Sequence, residues 1–543
     1  MTVTESWTAI ERRSQKLNLP EKNPGVREAR RAHMQASLDA ELSSQSRNQR
    51  GQYATPADLA CEIAAHARSL LPRASPIEFL EPAIGTGAFF SALSKTFDAD
   101  RIHRATGFEI DPHYGLPSAD LWGGAQFEVK LGDFTAQAPP ERKYNLLLTN
   151  PPYVRHHHIG PDKKRLQLSS QAVLGERPSG LTGLYCHFIY LSFPWLSEGA
   201  LSAWLIPTEG LEVGYGQTLR RFLLNRVTLL RIHRYDAADE KFADAMVSSC
   251  VVWFRKSPPP PDHKVEMSFG GSHANPSRRV FIPADRLSDA KKWNEPSLRR
   301  AHEGIPAPRD PRLKDAFEIR RGIVTGANRF FILTPEEAEA LALPRECLRP
   351  ILPGPRHLSG SIIEADPDSN PVVDKPLLLL DCRLSPDEVR ARHPQLWRYL
   401  EGGSQTAATS YICRSRRVWY RQEDRAPAPY LCQYMGRRRR DGQLGRFYLN
   451  LSRATASNNL MMLYPKPWLA GLITGRRRAE EVLSLLQSID VEDLRENGRL
   501  YRGGKHKFEP GDLADLPLPG LEAWAQSRRD QPSPSGEKGW EQP

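Results

Sequence analysis

Four short apolar segments between residues 77 and 149 each end in polar residues, and this pattern most limits how the chain can fold. Short apolar runs of this kind are typical of buried strands in a parallel sheet. The carboxyl ends of such strands form the rim where α/β proteins bind ligands. A single polar residue at a strand end is usually a turn or cap residue, but four in succession favour a binding rim. The segments and their polar ends are 77–80 with Glu81, 105–108 with Glu109, 127–131 with Asp133, and 144–149 with Asn150.

The fourth segment continues into a stiff loop, Asn150, Pro151, Pro152 and Tyr153. Both prolines lack an N–H group and fix φ, so the loop is rigid and offers only acceptors from these positions. The Asn150 amide oxygen and the Pro151 carbonyl could each accept one hydrogen of an exocyclic amino group, and Tyr153 could stack on its ring. The plain alternative is an ordinary turn, because Asn-Pro is a common breaker pair. The polar strand ends upstream favour the catalytic interpretation.

A loop with two glycines follows the first predicted strand. Gly85 and Gly87 allow a ligand to approach the backbone closely as the chain turns into a helix. This is not the full dinucleotide fingerprint, because Phe90 stands where its third glycine would fall. A glycine pair alone is weak evidence for a site. The acid that leads the loop, Glu81, would repel a phosphate and suits a ligand with an ammonium or sulfonium charge.

The remaining strand ends and one helix start complete the predicted rim. An acid in the position of Glu109 commonly holds ribose hydroxyls. Asp133 could accept from an adenine amino group, and Phe134 could pack against the ring. Upstream, Thr55 is a good N-cap and Pro56 a good first residue for a helix over 56–71, whose N-terminus could bind a ligand.

Composition limits the class of protein. The chain has 543 residues, a net charge of +11 and a pI of about 9.3, which allow two or three domains and favour a polyanionic partner. Seven cysteines without a C-x-x-C pair disfavour zinc and disulfide frameworks and indicate a reducing cytoplasm. No apolar run is long enough to span a membrane, and the first ten residues give no secretion signal. Three adjacent histidines at 156–158 cannot all face one ion, so we predict no metal.

Domain boundaries are predicted from changes in composition. Residues 1–50 form a peripheral helical arm, 51–257 a catalytic α/β domain, and 258–265 a proline-rich linker. Residues 266–522 form a mixed α+β domain, in which arginine runs interleaved with aromatics favour contact with nucleic acid over a merely solvated face. Residues 523–543 form a disordered tail.

Taken in order, these motifs resemble those of the gamma-class, S-adenosylmethionine-dependent adenine-N6 DNA methyltransferases of restriction–modification systems, in particular the TaqI and Eco57I types. The resemblance implies a Rossmann-like methyltransferase domain followed by a C-terminal DNA-recognition domain. It also implies a catalytic motif of Asn150, Pro151, Pro152 and Tyr153, with Tyr153 and Phe242 against a flipped base. The implied cofactor-binding residues are Tyr53, Thr55, Glu81, Ala83, Gly85, Gly87, Glu109, Asp133, Phe134 and Asn150.

The expected function is therefore methyl transfer from S-adenosylmethionine to N6 of a flipped adenine in double-stranded DNA, which protects that DNA from a restriction endonuclease. No metal, no membrane contact and a monomer are expected, and pairing with the endonuclease is functional rather than physical. Alternatives left open are cytosine N4, RNA or protein glutamine as the methyl acceptor. A binding-only protein or the methylase part of a fused restriction enzyme also stays open, although residues 1–50 are too short for a nuclease domain.

Overall fold

The computed structural model describes residues 23–43, 46–47, 50–212, 214–235, 249–290, 292–293, 295–303, 310–437, 446–490, 494, 499–501 and 505–530. The chain divides into two compact units, Met1–Pro306 and Ala307–Pro543. None of the described helices has the length and apolar character needed to cross a membrane.

A single mixed sheet organises the first unit, with strands in the order β3-β2-β1-β4-β5-β7-β6-β8-β9. Its strands are β1 Ile77–Glu81, β2 Ile102–Glu109, β3 Phe127–Leu131, β4 Tyr144–Thr149, β5 Leu196–Pro207, β6 Thr228–Arg234, β7 Ser249–Arg255, β8 Lys264–Gly271 and β9 Pro276–Pro283. The first five are mutually parallel, and β7 runs antiparallel between β5 and β6. Because β1 to β4 are parallel neighbours, their carboxyl ends lie along one edge, as predicted.

Helices cover both faces of this sheet. They are α1 Pro24–Ala40, α2 Ala57–Leu70, α3 Ala88–Thr96, α4 Pro112–Trp122, α5 Lys163–Leu174, α6 Leu184–Ser192, α7 Glu209–Glu212, α8 Gln217–Asn225, α9 Ala284–Asp289 and α10 Glu295–Glu303. Alternate residues of one strand serve opposite cores: Phe79 packs in the core with α2 and α3, and Leu80 packs in the core with α6 and α8. Burial on both faces explains the continuous apolar runs in the sequence. The predicted Rossmann-like arrangement, a largely parallel sheet with helices on both faces, is confirmed.

The proline run at 258–261 is not a domain boundary. It lies in the loop between β7 and β8, and β8 pairs in parallel with β6 of the same sheet. The β8–β9 hairpin therefore extends the sheet of the first unit, and the division between the two units comes later, after Pro306. A proline-rich segment marks a stiff loop, and composition alone does not show whether the next strand rejoins the previous sheet.

The described part of the N-terminal arm is the helix α1, which we call the arm helix. Asn23 caps it, because the side-chain oxygen accepts from the Gly25 N–H at 2.9 Å, and Pro24 is its first residue. Its Arg31 is only 4% exposed and donates to the Thr86 hydroxyl at 3.0 Å, within the glycine loop. The sequence suggested a peripheral arm. In the structure, the arm helix instead packs on the rim of the sheet.

The second unit combines small sheets with short helices, as predicted for a mixed α+β domain. The described strands are β10 Phe317–Arg321, β11 Ile332–Leu333, β12 Leu348–Leu352, β13 Ile362–Ile363, β14 Leu378–Leu380, β15 Tyr430–Gln433, β16 Met435–Arg437, β17 Phe447–Asn450, β18 Thr455–Ala456, β19 Leu460–Pro465, β20 Arg499–Tyr501 and β21 Lys505–Lys507. They pair in the orders β10-β19-β15-β17-β13, β11-β14-β12-β18 and β16-β21-β20.

Helices of the second unit pack against these sheets. They are α11 Leu313–Ala316, α12 Asn328–Phe331, α13 Pro335–Ala340, α14 Pro386–Arg392, α15 Pro394–Gly403, α16 Tyr411–Arg414, α17 Pro467–Ala470, α18 Gly475–Gln487, α19 Pro510–Ala514 and α20 Leu521–Arg529. Buried Trp524 of α20 belongs to the core that β15 and β19 also form. The predicted disordered tail is therefore wrong for its first residues, which are helical, and residues 531–543 lie outside the described part.

Candidate active site

A cavity of about 590 Å³ opens at the carboxyl ends of β1 to β4, where the sequence predicted the rim. Its wall includes predicted cofactor residues from every one of these strand ends. The predicted residues in the wall are Tyr53, Ala83, Gly85, Glu109, Asp133, Phe134, Asn150 and Pro152. Five predicted residues among those described are not in the wall, although each lies within two positions of a wall residue: Thr55, Glu81, Gly87, Pro151 and Tyr153. Phe242 lies outside the described residues.

The two glycines of the loop after β1 have different roles. Gly85 has a φ of 55°, lies in the cavity wall, and a Cβ added there would meet no described atom within 4 Å, so it keeps the backbone open to a ligand. Gly87 has a φ of 87° and faces the Trp122 indole so closely that a Cβ would collide with it. The Trp122 Nε1–H also donates to the Thr86 carbonyl at 2.9 Å. Gly87 is therefore required for packing of α3 and α4 rather than for ligand approach.

Glu109, at the end of β2, is held by the backbone around it. One carboxylate oxygen accepts from the Gly85 N–H and the other from the Asp111 N–H, both at 2.9 Å. Burial raises the pKa of Glu109, and the two N–H groups oppose that rise. Because each carboxylate oxygen has a second lone pair, Glu109 remains able to accept from a ligand hydroxyl in the cavity.

Glu81, at the end of β1, is buried behind the wall residues Pro82 and Ala83. It is 2% exposed, and its Oε2 has no hydrogen-bond partner among the described residues. Burial raises the pKa of Glu81 well above its usual value, while the Arg31 guanidinium lowers it and Glu109 raises it further. A buried carboxyl with an open acceptor is costly unless a donor or cation completes it. The predicted contact of Glu81 with an ammonium or sulfonium group stays a prediction, because Glu81 itself is not in the cavity wall.

The end of β3 supplies both a polar and an aromatic side chain. Asp133 Oδ1 accepts from the Thr135 N–H at 2.8 Å, and Oδ2 pairs with Arg165 at 2.8 Å. Arg165 also lies in the cavity wall, so Asp133 offers a ligand only its remaining lone pairs. Phe134 is 2% exposed, with its ring centroid 5.8 Å from that of Phe188. The predicted adenine contacts of Asp133 and Phe134 stay a prediction, with Arg165 as a partner that the sequence did not reveal.

Asn150 is oriented by the segment that precedes α2. Its Nδ2 donates to the Tyr53 carbonyl at 3.0 Å and to the Thr55 hydroxyl at 3.1 Å. The side-chain oxygen therefore points the other way, and this buried Oδ1 has no partner among the described residues. Thr55 is not the N-cap that the sequence indicated, since α2 is capped by Pro56 without a side-chain bond. Its hydroxyl positions Asn150 instead.

Tyr153 is fixed at both its ends. Its backbone N–H donates to the Gly51 carbonyl at 3.1 Å, and its hydroxyl donates to the Leu205 carbonyl at 3.1 Å. Its ring centroid lies 5.5 Å from that of Tyr53, at an interplanar angle of 39°. Burial raises the pKa of Tyr153, so the hydroxyl stays neutral. The structure thus holds the ring in one orientation beside Asn150.

Sequence reasoning missed the contribution of the arm helix and of α4 to the wall. Gln35 and Asp39 line the cavity, and so does Tyr114, whose hydroxyl donates to Asp39 Oδ1 at 2.8 Å. The sequence predicted the arm to be a peripheral element. A polar helix that packs through hydrogen bonds instead of apolar contacts leaves no periodic signal in the sequence.

A second polar cluster lies away from the cavity, between α2 and the β8–β9 turn. Glu62, His233 and His273 bring their possible ligand atoms within 4.8 Å of one another. The Glu62 carboxylate already accepts from the His273 N–H at 2.5 Å, and His233 Nδ1 lies 2.9 Å from the Ser268 hydroxyl. The Arg231 guanidinium, 3% exposed, donates to the His273 carbonyl at 2.8 Å, and this buried cation opposes a metal ion beside it. Hydrogen bonding that fastens the hairpin to α2 accounts for the cluster.

Comparison with known proteins decides the family. Residues 119–242 match the Eco57I restriction-modification methylase family, and residues 299–533 match the C-terminal domain of the type II methyltransferase M.Eco57I. The chain is 30% identical over 465 residues to the type II methyltransferase M.XamI of Xanthomonas campestris pv. amaranthicola, covering 83% of this chain and 82% of that one. It belongs to the Eco57I family of type II restriction–modification DNA methyltransferases.

Two further similarities were found. The type II methyltransferase M.AccI of Acinetobacter calcoaceticus is 23% identical over 495 residues, which cover 87% of this chain and 86% of that one. A solved structure of the type IIL restriction–modification enzyme MmeI in complex with DNA matches with a TM-score of 0.48 and 14% identity, covering 92% of this chain and 74% of that one. The family uses S-adenosylmethionine, and the cavity of this methyltransferase offers residues that suit it.

Proposed function

We propose that this methyltransferase modifies N6 of an adenine in a short recognition sequence of duplex DNA, using S-adenosylmethionine bound in the cavity of the first unit. The observation that supports this most is the Asn150 side chain. Two acceptors take its Nδ2–H groups, so the buried Oδ1 is fixed as an open acceptor at the end of β4. An acceptor in that position suits an exocyclic amino group.

The residues around the cavity suit the two chemical features of S-adenosylmethionine, its cationic end and its nucleoside. Buried Glu81, with its open Oε2, suits the ammonium or sulfonium end, and Gly85 leaves the backbone accessible. Glu109 suits ribose hydroxyls, and Phe134 with Asp133 suits the adenine ring and its amino group. When bound, the cofactor supplies an electrophilic methyl group and departs as the neutral thioether.

The chain's own part in the reaction is positioning. Asn150 Oδ1 accepts one hydrogen of the target amino group, which turns the nitrogen lone pair away from conjugation and toward the methyl group. The Pro151 carbonyl is proposed to accept the other hydrogen. Tyr153, its ring fixed by the bond to the Leu205 carbonyl, is proposed to stack on the extruded base and offset part of the unstacking cost, by about 1–3 kcal/mol. No strong base is needed on this path.

The second unit is proposed to recognise the DNA sequence, since it coincides with the C-terminal domain of the M.Eco57I family and is rich in exposed arginines. Host protection from a cognate endonuclease follows from the restriction–modification family. Phe242, outside the described residues, remains our candidate for a second contact with the flipped base.

One experiment tests the acceptor and the target base together. Purified protein is incubated with unmethylated plasmid DNA and S-adenosylmethionine, the nucleosides are separated by mass spectrometry, and modified positions are then sequenced. We expect N6-methyladenine at one short sequence. N4-methylcytosine alone would overturn the adenine assignment, and methylation of RNA or protein but not of DNA would overturn the DNA assignment.

A further inference from the structure

The arm helix faces the cavity with two polar side chains spaced four residues apart, on one face of the helix. Gln35 Nε2 donates to Asp39 Oδ1 at 2.9 Å, and both side chains are in the cavity wall. Asp39 Oδ2 also pairs with Arg47 at 3.2 Å, beyond the end of the helix. The wall of the candidate cofactor site therefore includes a segment that precedes all of the sequence motifs.

These two side chains connect the arm helix to both neighbouring parts of the rim. The Thr86 hydroxyl, in the glycine loop, donates to Gln35 Oε1 at 2.6 Å and accepts from Arg31 at 3.0 Å. On the other side, the Tyr114 hydroxyl of α4 donates to Asp39 Oδ1 at 2.8 Å. One continuous chain of hydrogen bonds thus runs from the glycine loop across the arm helix to the helix after β2.

The charge of the cavity wall favours a cation. Its carboxylates outnumber its guanidiniums, and each guanidinium is already paired with one of them, Arg50 with Asp111 and Arg165 with Asp133, at 3.0 and 2.8 Å. The wall carboxylates are Asp39, Glu109, Asp111, Asp133 and Asp162, and its guanidiniums are Arg50 and Arg165. Asp39 is the acid that the arm helix adds to the wall, and the Arg47 that pairs with its Oδ2 is not among the wall residues.

We propose that the arm helix is part of the cofactor site, and that Asp39 and Gln35 are positioning residues that make the site prefer the sulfonium cation over the neutral thioether product. This inference rests on the proposed function of the cavity. A cofactor that contacts the docked arm binds the docked form more tightly than the undocked one, so cofactor binding and docking stabilise each other. Loss of the sulfonium charge on methyl transfer weakens the attraction to Asp39 and favours product release.

The test uses the full-length protein and calorimetric titration with S-adenosylmethionine and S-adenosylhomocysteine. Asp39→Asn keeps the shape of the side chain and removes its charge, so we expect it to weaken binding of the sulfonium compound about three- to tenfold and to leave binding of the thioether nearly unchanged. Tyr114→Phe removes only the hydroxyl that donates to Asp39 and keeps the Asp39 charge, so it should retain the preference for the sulfonium compound. Ser37→Ala, an exposed position on the same helix, is the matched control and should bind both as wild type does.

A separate experiment measures docking of the arm helix as its resistance to limited proteolysis by trypsin, which cleaves after Arg27 and Arg30. We expect S-adenosylmethionine to slow cleavage there in the wild type, and Gln35→Ala to reduce this protection. Equal losses for both ligands in Asp39→Asn, or arm cleavage that the bound cofactor does not change, would overturn the inference while the proposed function stands. A wild-type protein that binds neither compound would overturn both.

Discussion

The buried acceptors at the strand ends of the first unit and the arginine clusters of the second unit differ in how many of their hydrogen-bonding positions the protein itself already occupies. Glu81 Oε2 and Asn150 Oδ1 are buried acceptors without a partner among the described residues. In the second unit, the Arg416 guanidinium donates to the Val324 carbonyl at 2.7 Å, and Arg476 forms a two-pronged pair with Glu364 at 2.6 and 3.0 Å.

This difference matters for finding binding residues. A guanidinium that already donates to the protein must break those bonds before it can bind a phosphate, whereas an open buried acceptor gains a bond when the ligand arrives. A hydrogen-bond donor or acceptor without a partner in the free protein is therefore better evidence for a binding role than the residue type alone. The three predictions that follow test this distinction, starting with the largest expected effect.

Asn150→Ala removes the open acceptor at the end of β4. We expect the single-turnover rate of methyl transfer to fall by about a hundredfold or more, because the lost hydrogen bond matters most as the amino nitrogen becomes tetrahedral. Thr55→Val is the companion variant: it keeps the shape but removes one of the two bonds that orient Asn150, and should cost about two- to tenfold. Thr55→Ser, which retains the hydroxyl, is the control. Wild-type rates in Asn150→Ala would remove this residue from the mechanism.

Glu81→Gln tests the open carboxylate through its pH dependence. In the free protein, burial raises the pKa of Glu81, so its contribution to stability is present below pH 4.5 and is lost as the pH rises through the raised value. A cationic cofactor favours the charged form, so its affinity should increase across that same pH window, by at most about tenfold per pH unit. Titration calorimetry from pH 5 upward, in steps of one unit, measures this slope. In Glu81→Gln the slope should flatten, and an unchanged slope would assign it to another group.

Burial and hydrogen bonding also explain which features the sequence could predict. The strand Tyr144–Thr149 has the predicted bounds because a strand buried on both faces is largely apolar. Phe127–Leu131 also has the predicted bounds, although it is an edge strand in which only Phe127 is buried. The predicted domain boundary at 258–265 was wrong, because the pairing of β8 with β6 is a long-range event that no local pattern records.

Within the site, the sequence predicted residue types better than roles. Gly85 lines the cavity as expected, but Gly87 is fixed by the Trp122 ring, a residue 35 positions further along the chain. Thr55 is of a residue type that often caps helices, yet its hydroxyl accepts a hydrogen bond from Asn150, which lies 95 residues away. Partners so distant in sequence are brought together only by the parallel order of the strands, so their contacts could not be inferred from spacing.

The smallest expected effects come from two arginines of the second unit that differ in their partners. Arg417 is exposed, and its side chain makes no hydrogen bond or ion pair with another described residue, whereas Arg476 is bound to Glu364 and Glu480. If side chains without partners in the free protein are the ones that bind DNA, Arg417→Ala should weaken DNA binding about three- to tenfold near physiological salt. It should also lower the slope of log K against log salt by about 1.

Arg476→Ala should leave that slope unchanged, because Glu364 and Glu480 already neutralise this guanidinium and a phosphate would have to displace them. Fluorescence anisotropy with a labelled duplex between about 50 and 200 mM salt measures both variants under the same conditions. The reverse result, with Arg476→Ala lowering the slope and Arg417→Ala not, would show that DNA rearranges the ion pairs of this unit. Bonding capacity in the free protein would then identify the residues of the cofactor cavity but not those that contact DNA.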